Sequence, residues 1–514
     1  MGENGLVDME RIKSTDIIFV LTAGFLMGIV DVLFYTIVDG NPLKSFLILG
    51  ANYMMALGLC IVLQLASFIH MRQMLQIAFQ FVISCYCCLL AFCWYRFGAP
   101  MDKSMIALVT ETNNAEAHEF FRVYITPVTI IVLLLAVLLV FTLFVYVTCR
   151  TIRLSRKLFI LLGVYTIVGC CCLGYSFYTL PGRIEGIFRT EQRNLADYLQ
   201  HPKIQETMAS HPDVVMIIIG ESFVRSHSSL YGYDKLTTPK LQQLADSGQL
   251  IVFREPIAPA THTAEAFKYF MTTYNHKTTD KDWYECLTLI EALHASDYHT
   301  AWFSNQAKSG WYDNISAAFA KLCKYFHYTS TPEEGEQGAK PDGVLFDCVG
   351  KYVKNFHPDS RHAVFIHLMG QHVDFEQRYP AQFSYFKETQ YTNREETQRR
   401  DYATYDNATR YNDYVVDSLF SILRDKNAIA FYFSDHGMDF YESAPDYCSH
   451  ANNNNQASVK AGLQIPFVIY TTASYRTAHP DVLKVLHKMS ARPYYTEHLM
   501  DLVLRVTGYQ VDIR

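Results

Sequence analysis

Five apolar stretches in the first 180 residues constrain this chain more than any other feature. Residues 17–38, 46–69, 75–94, 124–147 and 158–180 each approach or exceed the roughly 20 residues that a helix needs to cross a bilayer core. They predict five transmembrane helices. The first is not a cleaved leader, because its apolar run is too long and four similar segments follow it. Loop charge sets the orientation. The fourth loop carries Arg150, Arg153, Arg156 and Lys157 and the second carries Arg72, which places both in the cytoplasm by the positive-inside rule. The N-terminus, with Arg11 and Lys13, is then also inside, and five crossings put everything after residue 180 on the outer face. Asp31, the one formal charge within these spans, reads as paired or solvated near the outer third of its helix.

A mean hydropathy of +0.04 therefore averages two unlike parts, a membrane domain over 1–180 and a polar, aromatic-rich domain over 181–514. In the second part, short apolar runs at 214–219, 300–303, 363–366, 428–433 and 466–470 alternate with longer amphipathic stretches. That alternation predicts an α/β domain with a mainly parallel sheet and helices on both faces. The longest helical pattern, 396–424, presents Tyr405, Ala408, Tyr411, Val415, Leu419 and Ile422 at spacings of three and four, a packing face. The net charge of −6 and the lack of a basic stripe argue against nucleic-acid binding. Nine of the thirteen cysteines lie in or beside the apolar stretches. Cys286, Cys323, Cys348 and Cys448 fall in the outer domain, where disulfides are permitted, but none has metal-site spacing.

Two of the apolar runs end in chemistry. The run 428–433 leads through Ser434 into Asp435-His436-Gly437, and 214–219 leads into Gly220-Glu221-Ser222. Carboxylate and imidazole at the C-terminal ends of buried strands are what an open α/β sheet needs to hold a metal ion in the crevice above it. A hydroxyl-rich segment, Pro259-Ala260-Thr261-His262-Thr263, lies between them in sequence. Glu221, Asp435 and His436 with a threonine hydroxyl make a mixed oxygen and nitrogen set that suits zinc better than calcium. A threonine hydroxyl on such a metal becomes a usable nucleophile. Thr261 and Thr263 compete for that role, and Thr263 also reads as the N-cap of a helix over 264–271.

Gly220-Glu221-Ser222, Ser229-Leu230-Tyr231-Gly232-Tyr233, Thr237-Thr238-Pro239, His367-Leu368-Met369-Gly370-Gln371-His372 and Ser434-Asp435-His436-Gly437 together resemble the bacterial phosphoethanolamine transferases of the alkaline phosphatase and sulfatase superfamily. The resemblance covers nearly the whole chain. It implies a zinc enzyme of the bacterial inner membrane, multi-pass and monomeric, with a periplasmic catalytic domain. Its donor would be phosphatidylethanolamine, and its acceptor lipid A or another part of lipopolysaccharide. Carried over by position, the zinc ligands fall on Glu221, Thr261, Asp435 and His436, with Thr261 also the nucleophile. The head-group histidines fall on His372 and His450, and Asn305 and Lys308 in Ser304-Asn305-Gln306-Ala307-Lys308 occupy the substrate-binding segment. Thr112 and Glu116, in the third loop over 96–122, match residues that contact the ethanolamine group. Leu108 replaces the family's usual asparagine, and no cysteine brackets Pro259-Ala260-Thr261-His262-Thr263 as it commonly does in lipid A-modifying members. A glycerophosphate transferase of the lipoteichoic acid synthase type shares the five helices, the Gly-Glu-Ser motif and a threonine nucleophile. The His372 and His450 pair and the Thr112 to Glu116 loop favour ethanolamine over it. The sulfatase formylglycine motif is absent from the outer domain, and a non-catalytic sensor would be expected to have lost metal ligands that are all present here.

Overall fold

The structure, a computed structural model, describes residues 14–33, 42–67, 72–97, 127–148, 204–275, 283–306, 315–329, 340–357, 359–445, 447–451 and 455–511. These fall into two compact units. Thr112, Glu116, Lys308 and the apolar stretch 158–180 lie outside the described residues.

Among the described residues, the first unit has four apolar helices: α1 (Ser14–Leu33), α2 (Pro42–Ser67), α3 (Arg72–Phe97) and α4 (Pro127–Thr148). Among the described residues, Arg72–Trp94 and Thr129–Thr148 are long and apolar enough to cross a membrane, while Ile18–Leu33 and Leu47–Cys60 are shorter apolar runs. α4 turns Leu134, Leu135, Leu138 and Leu139 outward, each at least 60% exposed. Such a surface is unstable in water and at home in lipid. Contacts between the helices are close and specific. Gly24 of α1 leaves room for the Tyr53 ring of α2, Phe19 stacks on Phe144 at 5.7 Å, and the Gln80 amide donates to the Thr148 hydroxyl at 2.7 Å.

In the second unit seven strands form one sheet: β1 (Val214–Gly220), β2 (Leu250–Val252), β3 (Tyr298–Ser304), β4 (Tyr325–Tyr328), β5 (Arg361–His367), β6 (Ala428–Ser434) and β7 (Phe467–Thr471). Their spatial order is β2-β7-β6-β1-β5-β3-β4. All seven residues of β1 are buried, as expected of a central strand covered on both faces. Val215, Ile217 and Ile219 face one core, and Val214, Met216 and Ile218 face the other. Each such side chain contributes roughly 1.5–3 kcal/mol when fully buried, and a one-residue slip would invert both sets. The register of β1 is thereby fixed, and with it the position of Glu221.

Helices cover both faces. α5 (Thr263–Phe270) and Leu499–Thr507 pack on the first face. The helix Leu345–Lys354 packs on the second together with α6 (Glu396–Ser421), which presents Ala408, Tyr411, Val415 and Leu419 to the sheet.

The sheet is mixed rather than uniformly parallel. β6, β1, β5, β3 and β4 run parallel to one another, whereas β7 is antiparallel to both β6 and β2. The reversal has a topological cause. Residues 435–466 leave the end of β6 and return at that same end, with Phe467 opposite Phe433, so no crossover sets β7 parallel to β6. The same detour keeps Asp435, His436 and His450 at one end of the sheet.

Candidate metal centre

Parallel strands end together, and the register brings the ends of β1, β5, β3 and β6 to one line. Gly220 lies opposite Ser434, and His367 lies opposite both Ile219 and Ser304. The residues that follow each strand therefore converge: Glu221 after β1, Asn305 and Gln306 after β3, 368–372 after β5, and Asp435 and His436 after β6.

The turn after β1 is held in an uncommon shape. Ser222 adopts φ +57, a left-handed conformation that costs a non-glycine residue about 1–2 kcal/mol. Its partners offset that cost: the hydroxyl donates to Glu221 Oε1 at 2.7 Å, and the carbonyl accepts from the Tyr405 hydroxyl at 2.8 Å. From β5, Gly370 (φ +51) crosses directly over Glu221, where a Cβ would lie 2.7 Å from its backbone nitrogen and oxygen. Asp342 fastens that crossing, because its carboxylate accepts from the Met369 and Gly370 amides at 2.9 Å each.

At the centre, His436 Nδ1 lies 2.6 Å from the Gly437 carbonyl. An oxygen there requires the proton on Nδ1, which leaves Nε2 as the ligand atom. Nε2 lies 3.3 Å from Glu221 Oε1, 3.6 Å from Asp435 Oδ2 and 3.2 Å from the Thr263 hydroxyl. Thr263 Oγ1 also reaches Glu221 Oε2 at 3.2 Å. Glu221, His436 and His450 offer ligand atoms that all lie within 4.8 Å of one another. Asp435 is fully buried, and its Oδ2 lacks a hydrogen-bond partner. A buried carboxylate oxygen left in that state is costly and fits a cation at this point. The donor set of carboxylates, imidazole and hydroxyl suits zinc.

Charge at the centre is tightly balanced. Burial disfavours the His436 cation, but the Asp435 and Glu221 charges outweigh it and push the imidazole up to about 9. Burial and the Glu221 charge raise Asp435 to about 7. Burial would also raise Glu221, yet His436, His372 and the Ser222 bond hold it well below the usual carboxylate range. His450 moves the other way: burial and the neighbouring His436, His262 and His372 keep it neutral, far below the ordinary histidine value.

The expected residues take up different places. The Thr263 hydroxyl lies within reach of Glu221 and His436, while Thr261 Oγ1 lies 2.9 Å from His262 Nδ1. Thr263 is not the cap of its helix: His262 holds that position without a side-chain capping bond, and Thr263 is the first helical residue. Asn305, expected at the substrate, is 2% exposed. Its amide donates to the Lys340 carbonyl and Asp342, and its oxygen accepts from Thr329. Its neighbour Gln306 reaches the site, donating to Glu221 Oε2 at 3.3 Å and to the Leu368 carbonyl at 3.0 Å. His372 and His450 do come together, with ring centroids 6.1 Å apart. No sequence signal pointed to Asp342, which acts from a distant loop; Gln306 could have been found by its place after β3.

Residues 213–509 match the family model described as Sulfatase, and 55–191 match one described as Phosphoethanolamine transferase EptA/EptB. The phosphoethanolamine transferase EptC of Escherichia coli O18:K1:H7 is 25% identical over 433 residues, 76% of this chain and 73% of that protein. The C-terminal periplasmic domain of EptC from Escherichia coli, solved as a complex with Zn, superposes with a TM-score of 0.52 at 25% identity, over 61% of this chain and 87% of that one. The integral membrane lipooligosaccharide phosphoethanolamine transferase A of Neisseria meningitidis shares the fold along 96% of this chain and 94% of its own, with a TM-score of 0.60 at 18% identity.

Proposed function

This chain belongs to the sulfatase family and, within it, to the phosphoethanolamine transferases, and on that premise we propose that it transfers phosphoethanolamine from phosphatidylethanolamine to lipid A or another lipopolysaccharide acceptor through an ester on Thr263. One observation carries the choice of nucleophile: the Thr263 hydroxyl lies 3.2 Å from both Glu221 and His436, at the first position of α5. Its place at a helix N-terminus favours the negative charge that develops there. Zinc held by Glu221, Asp435, His436 and the Thr263 hydroxyl would make that hydroxyl more acidic and neutralise charge on the phosphoryl oxygens.

Thr263 Oγ1 attacks the phosphorus in line, Glu221 Oε2 is placed to take its proton, and the bond from phosphorus to the diacylglycerol oxygen breaks. The leaving oxygen needs an acid. His450 is held neutral by its surroundings and serves the head group, so the partly exposed His372 supplies the proton. Diacylglycerol departs, and the protein carries a phosphoethanolamine ester on Thr263. An acceptor oxygen then attacks from the same side and gives its proton to His372, the bond from phosphorus to Thr263 Oγ1 breaks, and Glu221 returns its proton to that oxygen. Lys308 would meet the phosphate, and Thr112 and Glu116 the ethanolamine ammonium. We place residues 1–180 in the bacterial inner membrane as five helices with the N-terminus in the cytoplasm, and 181–514 in the periplasm, as a monomer. The glycerophosphate alternative is not favoured, since the membrane part matches the EptA/EptB model.

Mass spectrometry of lipids and lipopolysaccharide from cells with and without this chain tests the reading. A gain of one phosphoethanolamine unit, accompanied by diacylglycerol, is expected. Gain of glycerophosphate would replace the donor, and an unchanged profile would refute the transfer.

A further inference from the structure

A second concavity, of about 790 Å³, opens beside the metal centre and is used by none of the steps above. Arg225, Glu255, Ile257, Val459, Lys460 and Tyr495 are among the residues lining it. Three chain segments build it, and each leads into the centre. Arg225 stands four residues after Glu221, and its amide donates to the Gln464 carbonyl at 3.1 Å. Ile257 lies on the approach to Thr261 and Thr263 and pairs with Tyr495 in a short parallel ladder. Val459 and Lys460 belong to the helix Gln456–Leu463. The other side of that helix touches the centre: a Cβ at Gly462 would lie 3.0 Å from Thr261 Cγ2, and the Gly462 carbonyl accepts from the Gly437 amide at 2.7 Å. A molecule in the groove is thus one helix width from the threonines.

The groove's chemistry is selective. Among the described residues, neither Arg225 nor Lys460 has a carboxylate within ion-pairing distance. Arg225 is held in place, with its guanidinium donating to the Pro256 carbonyl at 3.3 Å and lying 6.0 Å from the Tyr231 ring centre. Lys460 is exposed. Tyr495 leaves 48% of its surface open to solvent, a flat ring of the kind on which a sugar face packs, and the Glu255 carboxylate accepts hydroxyl or amino protons. Two unpaired cations with an aromatic platform and one acceptor match a phosphorylated saccharide. We propose that this groove anchors the acceptor by the phosphate and ring of a phosphosaccharide head group, an inference that rests on the transferase reading. The acceptor then waits beside Thr263 while donor chemistry proceeds at the centre, which lowers the cost of the second step through proximity.

The test uses the full chain purified in detergent, with phosphatidylethanolamine as donor. Lipid A, its dephosphorylated form and glucosamine 1-phosphate serve as probes. Diacylglycerol released in a burst without acceptor reads the first half-reaction, and the acceptor KM reads the second. Lys460→Gln should leave the burst unchanged and raise the KM for lipid A roughly tenfold, the effect of losing one charged hydrogen bond. With dephosphorylated lipid A the two proteins should agree, and Tyr495→Ala should weaken both acceptor forms severalfold. Competition by glucosamine 1-phosphate against lipid A in the wild type would show that the head group alone is recognised. Its failure, with the dependence on Lys460 intact, would assign the groove to membrane-held phosphosaccharide. Unaltered KM values in both variants would overturn the inference. Absence of any burst in the wild type would sink the transferase reading instead, and direct binding of lipid A to wild type and Lys460→Gln would then decide the groove: weaker binding by the variant supports it, equal binding rejects it.

Discussion

The imidazole of His436 sits near 9 because two carboxylates face it, and that fixes how metal binding should respond to pH. At neutral pH the metal-free protein holds a proton on Nε2, which a metal must displace. Apparent zinc affinity should therefore rise about tenfold per pH unit between roughly 7 and 9 and level off above that. Below 7 the protonation of Asp435, raised to about 7, should steepen the dependence. Titration calorimetry at pH 8 in two buffers of unlike ionisation heat should report about one proton released per zinc; no release would mean that His436 is not a ligand. The threonines give a second test at this scale. With phosphatidylethanolamine and no acceptor, the added mass should appear on Thr263. Thr263→Ala should abolish it, while Thr261→Ala should retain labelling with activity lowered by less than about tenfold, since Thr261 packs on Gly462 and bonds His262. Labelling of Thr261 in the wild type would restore the assignment made from sequence. Glu221 and Asp435-His436 could be picked out as candidates because they follow unbroken apolar runs. Which of two threonines two residues apart faces them could not be read, because it depends on where α5 begins, and a helix rotates neighbouring side chains by about 100° per residue.

At the scale of elements, the centre depends on how closely the turn after β5 crosses the turn after β1. Gly370 and Gly232 both occupy left-handed backbone, at φ +51 and φ +96, but a Cβ at Gly370 meets Glu221 whereas one at Gly232 meets nothing within 4 Å. Gly232→Ala should therefore cost about 1–2 kcal/mol of stability, the backbone term alone, and leave transfer intact. Gly370→Ala adds a collision with backbone that cannot swing aside, so it should be less stable than Gly232→Ala and lose both zinc content and most activity. Paired melting curves and metal analysis separate the two, and equal behaviour would show that the crossing does not position Glu221. The strands that carry these turns were readable from their apolar runs, and α6 from its three-and-four spacing. β7 misled because local pattern marks a strand without its direction. Its reversal comes from a connection over 435–466 that stays at one end of the sheet. The short strands β2 and β4 went unread for a related reason: three or four residues carry too little alternation to stand out from a loop.

For the whole molecule, hydropathy separates two solvents within one chain, and the described helices agree with it as far as they extend. α4 turns isoleucine, valine and leucine outward, a surface suited to hydrocarbon, while the described residues of the second unit bury most of their apolar side chains in two cores flanking the sheet and a third cluster. Sidedness is a different matter, because nothing in a helix's packing distinguishes one face of a membrane from the other. It rests on Arg150, Arg153, Arg156 and Lys157 in the fourth loop, each of which resists translocation. If these four are inside and the chain crosses five times, as proposed above, the candidate metal centre would lie outside the cytoplasm, on the side of its proposed acceptor. A reporter active only in the cytoplasm, fused after Arg514, should then be silent, while the same reporter fused after Lys157 should be active. Replacing the four basic residues by glutamine should weaken that contrast, since the remaining bias from Arg11, Lys13 and Arg72 is smaller. Strong cytoplasmic activity from the C-terminal fusion would require an even number of crossings, and the centre built around Glu221, Asp435 and His436 would then face the wrong leaflet for its proposed acceptor.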